Sequence, residues 1–256
     1  MFHTDLKRNI SHSLTAVVIV VAVAWAWSGA EVELGRLLSG LPRMGKFLGR
    51  MMPPDLGVVS TVASSTIETI QIALFGTMVA AVASFILGLL AADNLTPRWV
   101  NQPVKWILGI LRAIPLILLA VLFVSTVGLG PFPGVLAIAV HSTGMLGKFY
   151  AEAFENADEG VLEAIESSGA SWFQRVRFAV LPQVAPDVAR DTMFRFELNL
   201  RESLILGLVG AGGIGFYIQA YVRAFQYERV ATLTLVIIVM VIAVEQFSTW
   251  VRRRLR

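Results

Sequence analysis

Residues 163–182 read EAIESSGASWFQRVRFAVLP, the longest internal segment too polar to rest in lipid, with strongly apolar runs on both sides. Asp158 is placed to cap a short helix reaching Ser167, with acids in its first turn. Gly169 then supplies the backbone freedom for a sharp bend at a helix C-terminus. Ser171 is placed to cap a second short helix carrying Trp172, Phe173, Val176 and Phe178, expected to stop before Leu181-Pro182. A bent helix pair protruding from a bilayer is a knob for a soluble partner to grip. The plainer alternative is a loop lying on the membrane surface.

Composition puts the segment in a membrane protein. Of 256 residues, 56% are hydrophobic and only 15% charged, with mean hydropathy +0.70. Soluble domains carry about 25% charge. The chain has no cysteine, which excludes disulfides and thiolate metal sites. Its net charge of +3 does not point to nucleic acid, because the basic residues cluster beside apolar spans and at the C-terminus.

Taken in order, the apolar runs predict an all-α membrane protein with six transmembrane helices, at 14–28, 60–92, 106–127, 134–155, 184–210 and 229–251, with the polar loop at 158–182. The first run also fits a signal peptide with a cleavage site near Ser28-Gly29-Ala30. A retained helix is the expectation, since further spans follow and Trp25 and Trp27 suit an interfacial belt. Residues 31–55 read as an amphipathic segment in the outer interface, leucines and methionines alternating with Arg36, Arg43, Lys46 and Arg50 at helical spacing, broken at Pro42 and stopped at Pro53-Pro54. In the second span Gly76, Ala80, Ser84, Gly88 and Ala92 recur every fourth residue, a stripe that admits another helix closely. Glu68, near its outer end, is expected to reach the headgroups. Six spans with both termini inside put Lys7, Arg8, Arg98, Arg175, Arg177 and the C-terminal arginines of 252–256 on the cytoplasmic side, as the positive-inside preference requires.

The loop resembles the cytoplasmic "EAA" loop of ABC importer permeases. Glu163, Ala164, Gly169, Leu181 and Pro182 match its pattern, while Ile165 replaces the second alanine and Ala179 an isoleucine. The resemblance implies a type I permease fold and an ATPase-docking knob, with Ala170 and Trp172 in the same coupling set.

Few residues can carry covalent chemistry. Gly210-Ala-Gly-Gly-Ile-Gly215 matches GxGxxG, but a membrane helix rather than a strand precedes it, which rules out a dinucleotide fold. Gly210, Gly212, Gly213 and Gly215 read either as a hinge near the outer mouth of a pathway or as close packing at a turn. No lysine precedes Ser or Thr, so there is no Walker A loop and any ATPase is a separate polypeptide. His141 is the one histidine within a span, and no zinc set or hydrolase triad is discernible.

The fifth span is the unusual one. Arg195, Glu197, Asn199, Arg201, Glu202 and Ser203 lie on one apolar helix, where each intramembrane charge costs about 2.5–3.5 kcal/mol on insertion scales. Glu197 with Arg201 and Asp191 with Arg195 are i,i+4 pairs. Two readings stay open: an internal salt-bridge network, or a polar lining for an anion in which Arg195 and Arg201 donate and Arg112, His141 and Ser142 join from neighbouring spans.

The run RFELNLRESLILGLVGAGGIG (195–215), the region after Arg112 and the Pro-Pro-Asp at 53–55 are similar to the phosphonate permease family of ABC importers. That resemblance covers most of the chain after residue 50. It implies a subunit with no cofactor of its own and ATP and magnesium on the partner. It further implies a second permease copy or close paralogue, two ATPase subunits, an extracytoplasmic binding protein, and a bacterial cytoplasmic membrane location. Family members often carry an acid and a tryptophan shortly after the proline of the Arg-x-Ile-Pro segment; here Pro115 is followed by Leu116-Ile-Leu-Leu119. Phosphonate, phosphite and phosphate therefore remain alternatives. Other readings are a permease for another small solute such as methionine, an ion-driven secondary transporter, and a membrane-bound enzyme.

Overall fold

The computed structural model describes residues 2–31 and 33–254, with side chains from residue 15 onward. His3, Lys7, Arg8, His12 and Arg256 thus have side chains outside the described residues. All regular structure among the described residues is helical, and the chain separates into two compact units, residues 1–50 and 51–256.

The first unit holds α1 (Phe2–Gly29) and α2 (Leu34–Arg50). The expected break at Pro42 does not occur. A proline removes one intrahelical hydrogen bond without having to end the helix, and α2 runs through it. Its leucines and basic residues are all exposed on opposing faces, the arrangement of an interfacial helix.

The second unit contains α3 (Val59–Ala91), α4 (Arg98–Ala113), α5 (Leu116–Val127), α6 (Pro131–Glu155), α7 (Glu159–Ser167), α8 (Trp172–Arg175), α9 (Leu181–Gly207), α10 (Gly213–Arg223) and α11 (Tyr227–Arg254). Its spine is the parallel pair α3–α6. Gly76, Ala80, Ser84, Gly88 and Ala92 are all buried; Gly76 meets Ile138, Gly88 meets Tyr150, and the Ser84 hydroxyl donates to the Thr143 carbonyl at 3.2 Å. Small side chains at this spacing bring backbones close enough for dispersion to hold the pair where lipid offers no hydrophobic drive.

Residues 56–91 and α11 are each long and apolar enough to cross a membrane, and α4 with α5 is so only as a bent pair, by length and composition either a broken span or a re-entrant loop. The run 106–127 falls on these two helices, which meet at 83°. Ile114 is extended because the following Pro115 ring disfavours the helical region at the residue before it. The run 184–210 falls on α9. The chain then turns over residues 208–212 and adds α10 before α11, an element that composition alone did not separate from its neighbours.

Candidate functional site

The polar loop folds as a bent helix pair. The Asp158 carboxylate accepts from the Gly160 and Val161 amides at 2.8 and 3.3 Å, capping α7. Gly169 follows at φ +81, a conformation that L side chains rarely adopt, and turns the chain into α8. The Ser171 amide donates to Gln174 Oε1 at 2.7 Å. The second helix does not stop before Leu181-Pro182 as expected. Residues 176–180 form a π-helical turn that runs directly into α9, and Pro182, which has no N–H to give to that turn, lies just beyond it.

One side of this pair is anchored. Leu162, Val176, Ala179 and Val180 are buried with Tyr150 and Phe154 of α6, and Trp172 Nε1 donates to the Leu95 carbonyl at 2.9 Å. The other side is open. Glu163, Ala164 and Gly169 are exposed, Phe173 is 77% exposed, and Ile165 and Ala170 are half-buried. Trp172, placed in the coupling set from sequence, is half-buried and anchors the pair, and Phe173, packed edge-on against it with ring centroids 4.9 Å apart, is the more exposed aromatic.

Within the bundle, α3, α6 and α9 share a closed polar network. Arg195 is 1% exposed. Its Nε donates to Ser142 Oγ at 2.9 Å, and its two terminal nitrogens reach Met145 Sδ at 3.1 Å and Glu202 Oε2 at 2.7 Å. Ser142 Oγ donates to Asn199 Oδ1 at 3.0 Å, and Asn199 Nδ2 donates to Thr77 Oγ1 at 2.8 Å. Thr77 lies about 21 Å of helix from the α3 end at Ala91, well inside the bundle. Buried polar groups satisfied this completely rigidify the contact between three helices. The i,i+4 pair of Asp191 with Arg195 is not formed: Asp191 turns to Arg190 at 3.4 Å, and Arg195 points into the bundle, where Glu202 neutralises it.

The expected pair of Glu197 with Arg201 is present at 2.9 Å, extended by Arg252 to Glu197 at 3.3 Å and Arg201 to Glu245 at 3.4 Å. Unlike Arg195, Arg201 keeps 46% of its side chain exposed. His141 Nδ1 lies 3.1 Å from the Ile114 carbonyl at the α4–α5 break. Ser203 is not in the network, since its hydroxyl bonds the Leu200 carbonyl on its own helix. Arg112 is likewise outside it, its backbone packed on Gly144 of α6 and its side chain at a cavity between α4 and α6.

The glycine segment is a stapled corner. Glu68, expected at the headgroups, instead accepts from the Gly213 amide at 3.0 Å, and Thr69 Oγ1 accepts from Ile214 at 2.8 Å, so two α3 side chains cap α10. The Gly130 amide donates to the Gly210 carbonyl at 3.0 Å. At Gly215 a Cβ would strike the Leu204 carbonyl, so α9 and α10 cross backbone on backbone. Thr77 and Thr69 escaped the sequence reading, which left Glu202 in the fifth-span charge set without a named partner and put Glu68 at the headgroups. A hydroxyl or carboxylate in an apolar run was their only signal, and it does not name a partner.

A helical bundle with a buried polar tie, a sharply bent α4–α5 pair and an exposed bent helix pair at one end has the architecture of the type I ABC permease fold. The chain belongs to the family of binding-protein-dependent transport system inner membrane components, whose model matches residues 84–256. It is similar to the phosphite transport system permease protein PtxC of Stutzerimonas stutzeri, at 41% identity over 86% of this chain and 80% of that one. It is 42% identical to the phosphate-import permease protein PhnE of Mycolicibacterium smegmatis, over 85% of this chain and 41% of that one. Among solved structures, the MetNI methionine ABC transporter in an inward-facing conformation superposes with TM-score 0.70 at 20% identity, covering 79% of this chain and 99% of that one. The chain is therefore a transport subunit of an inner membrane, with no enzymatic role of its own.

Proposed function

We propose that the chain is the permease subunit of an ATP-driven importer for a phosphorus oxyanion, of the phosphite, phosphonate or phosphate class. The observation that carries the mechanism is the continuity of α8, the π-helical turn and α9: the exposed knob and the helix bearing Arg195, Asn199 and Arg201 form one unbroken rod. ATP and magnesium act on the partner ATPase pair, whose closure pushes the face formed by Glu163, Ala164 and Phe173. The rod carries that motion to the polar tie and the glycine corner, switching access between the two sides. The full assembly in this reading has a second permease copy or close paralogue, two ATPase subunits and an extracytoplasmic binding protein. The reading takes six spans with both termini in the cytoplasm, which puts the knob on the ATPase side.

In this reading Arg195 is a structural tie, because it is buried and each of its three guanidinium nitrogens already has a partner within the bundle. Arg201, half exposed and shared between two carboxylates, is the transient anion contact, and its carboxylates keep the well shallow enough for release. The arginine also favours an anion over a zwitterionic amino acid. The test is uptake in proteoliposomes containing the permease, with ATPase and binding protein added or omitted, offered methylphosphonate, phosphite and phosphate separately. Uptake of one anion with the full set alone is the expected result. Uptake without the ATPase makes the chain an ion-driven transporter and overturns the reading.

A further inference from the structure

A cavity of about 410 Å³ lies between the C-terminal halves of α4 and α6, beside Ala91 at the end of α3, and no step of the transport reading uses it. We propose that it is a binding site for a phosphate-type oxyanion, with Arg112 as its principal ligand and Lys148 as the second.

The basic residues are arranged by the helix itself. Arg98, Lys105 and Arg112 recur every seventh residue of α4, and an α-helix drifts only about 20° per heptad, so they form one stripe about 21 Å long. The charges are sorted along the cavity. At one end Lys105 is neutralised twice, by Asp93 at 2.8 Å and Glu155 at 3.0 Å. At the other, Gly144 lets α6 approach so closely that a Cβ there would lie 2.5 Å from the Arg112 amide nitrogen. Arg112 is exposed and, among the described residues, has no ion-pair partner, so its guanidinium donors are unclaimed. Lys148, one turn along α6 from Gly144, is paired among the described residues with Glu152 alone, at 3.9 Å, with both side chains more than half exposed. An exposed pair at that distance contributes about 0–1 kcal/mol, so a dianion displaces it readily.

Leu108, Ala113 and Ala151 wall the cavity, and Trp106 beside it is exposed. An apolar recess with a cationic end suits a phospholipid, its phosphate on Arg112 and a chain along the wall. The same guanidinium fork takes a free phosphorus oxyanion leaving the pathway. Only this second source rests on the importer reading; the lipid source requires no transport.

The experiment uses the full permease–ATPase complex in detergent, delipidated, as wild type, Arg112→Gln, Arg112→Lys and Lys148→Gln. One arm adds phosphatidylglycerol and counts retained lipid by native mass spectrometry. The other adds radiolabelled phosphate or methylphosphonate without lipid and measures equilibrium binding. The expected result is retention in one arm, about tenfold weaker in Arg112→Gln, weakened less in Lys148→Gln and partly restored in Arg112→Lys. Lipid retention assigns the site to the membrane, and free-anion binding to the exit path. If wild type retains neither ligand, or if Arg112→Gln retains both as wild type does, the proposal is overturned.

Discussion

Arg195 and Glu202, seven residues apart on α9, form a 2.7 Å ion pair whose arginine side chain is 2% exposed. Removing Glu202 strands the buried arginine, at a cost of about 3–5 kcal/mol, and removing Arg195 strands a carboxylate that is 29% exposed, which costs somewhat less. Glu202→Gln and Arg195→Met alone should each sharply lower the unfolding midpoint of the transporter complex in detergent. The double variant should recover part of that loss, with a coupling energy of about 0.5–3 kcal/mol. Additive losses would show that the pair does not act as one.

Arg201→Ala separates the exposed arginine from the buried one. Its partners are the exposed Glu245 and the buried Glu197, and Glu197 keeps Arg252 at 3.3 Å as a counter-charge when Arg201 is removed. The variant should assemble with its ATPase and unfold within a few degrees of wild type, while anion uptake falls at least about tenfold. Loss of assembly with no separate loss of uptake would make Arg201 a tie like Arg195.

Two glycines should fail in different ways. At Gly215 an added Cβ meets the Leu204 carbonyl and the Gly207 Cα, both backbone, so Gly215→Ala should destabilise the permease by about 1–3 kcal/mol. At Gly169 a Cβ meets open space, and the cost is the left-handed backbone alone, about 1–2 kcal/mol and local to an exposed bend. Gly169→Ala should leave the bundle's unfolding midpoint unchanged and weaken co-purification of the ATPase. Unfolding scans and pull-downs of both variants distinguish the two.

How much of this was legible in the chain follows from what is local. The Asp158 cap, the Gly169 bend and the Glu197–Arg201 pair depend on residues within a few positions of one another, and each is present as read. The stripe from Gly76 to Ala92 was legible because small residues at fixed spacing mean close approach whatever the partner. The partner of Arg195 was not. Asp191 and Glu202 both lie on its helix face, and the choice is made by Ser142 and Met145 of α6, which draw the guanidinium into the bundle. The same holds for Glu68, whose target amide is 145 residues away. The bend at Ile114 had its signal in Pro115, but an apolar run on both sides hid a turn of 83° inside one expected span.

At the opposite end of the bundle from the knob, stability should depend on pH through Asp55. Its Oδ1 accepts from the Gly57 amide at 2.8 Å, and its Oδ2 accepts from Arg229 Nε at 3.0 Å. First that backbone donor and then the guanidinium hold its carboxyl below the usual carboxylate range. A carboxylate whose folded pKa is depressed contributes stability that is fully present above its unfolded pKa, about 3.9, and is lost as pH falls through the lower folded value. The Asp55 carbonyl also accepts from Thr232 Oγ1 at 2.8 Å, so this residue ties the start of α3 to α11. Wild type should therefore lose stability below about pH 4 more steeply than Asp55→Asn, and the two unfolding midpoints should converge there. The difference should be constant from about pH 5 to 7, and Arg229→Gln should reduce it. Parallel curves down to about pH 3 would show that Asp55 titrates alike in the folded and unfolded chains, and that the contact with Arg229 carries no pH-dependent stability.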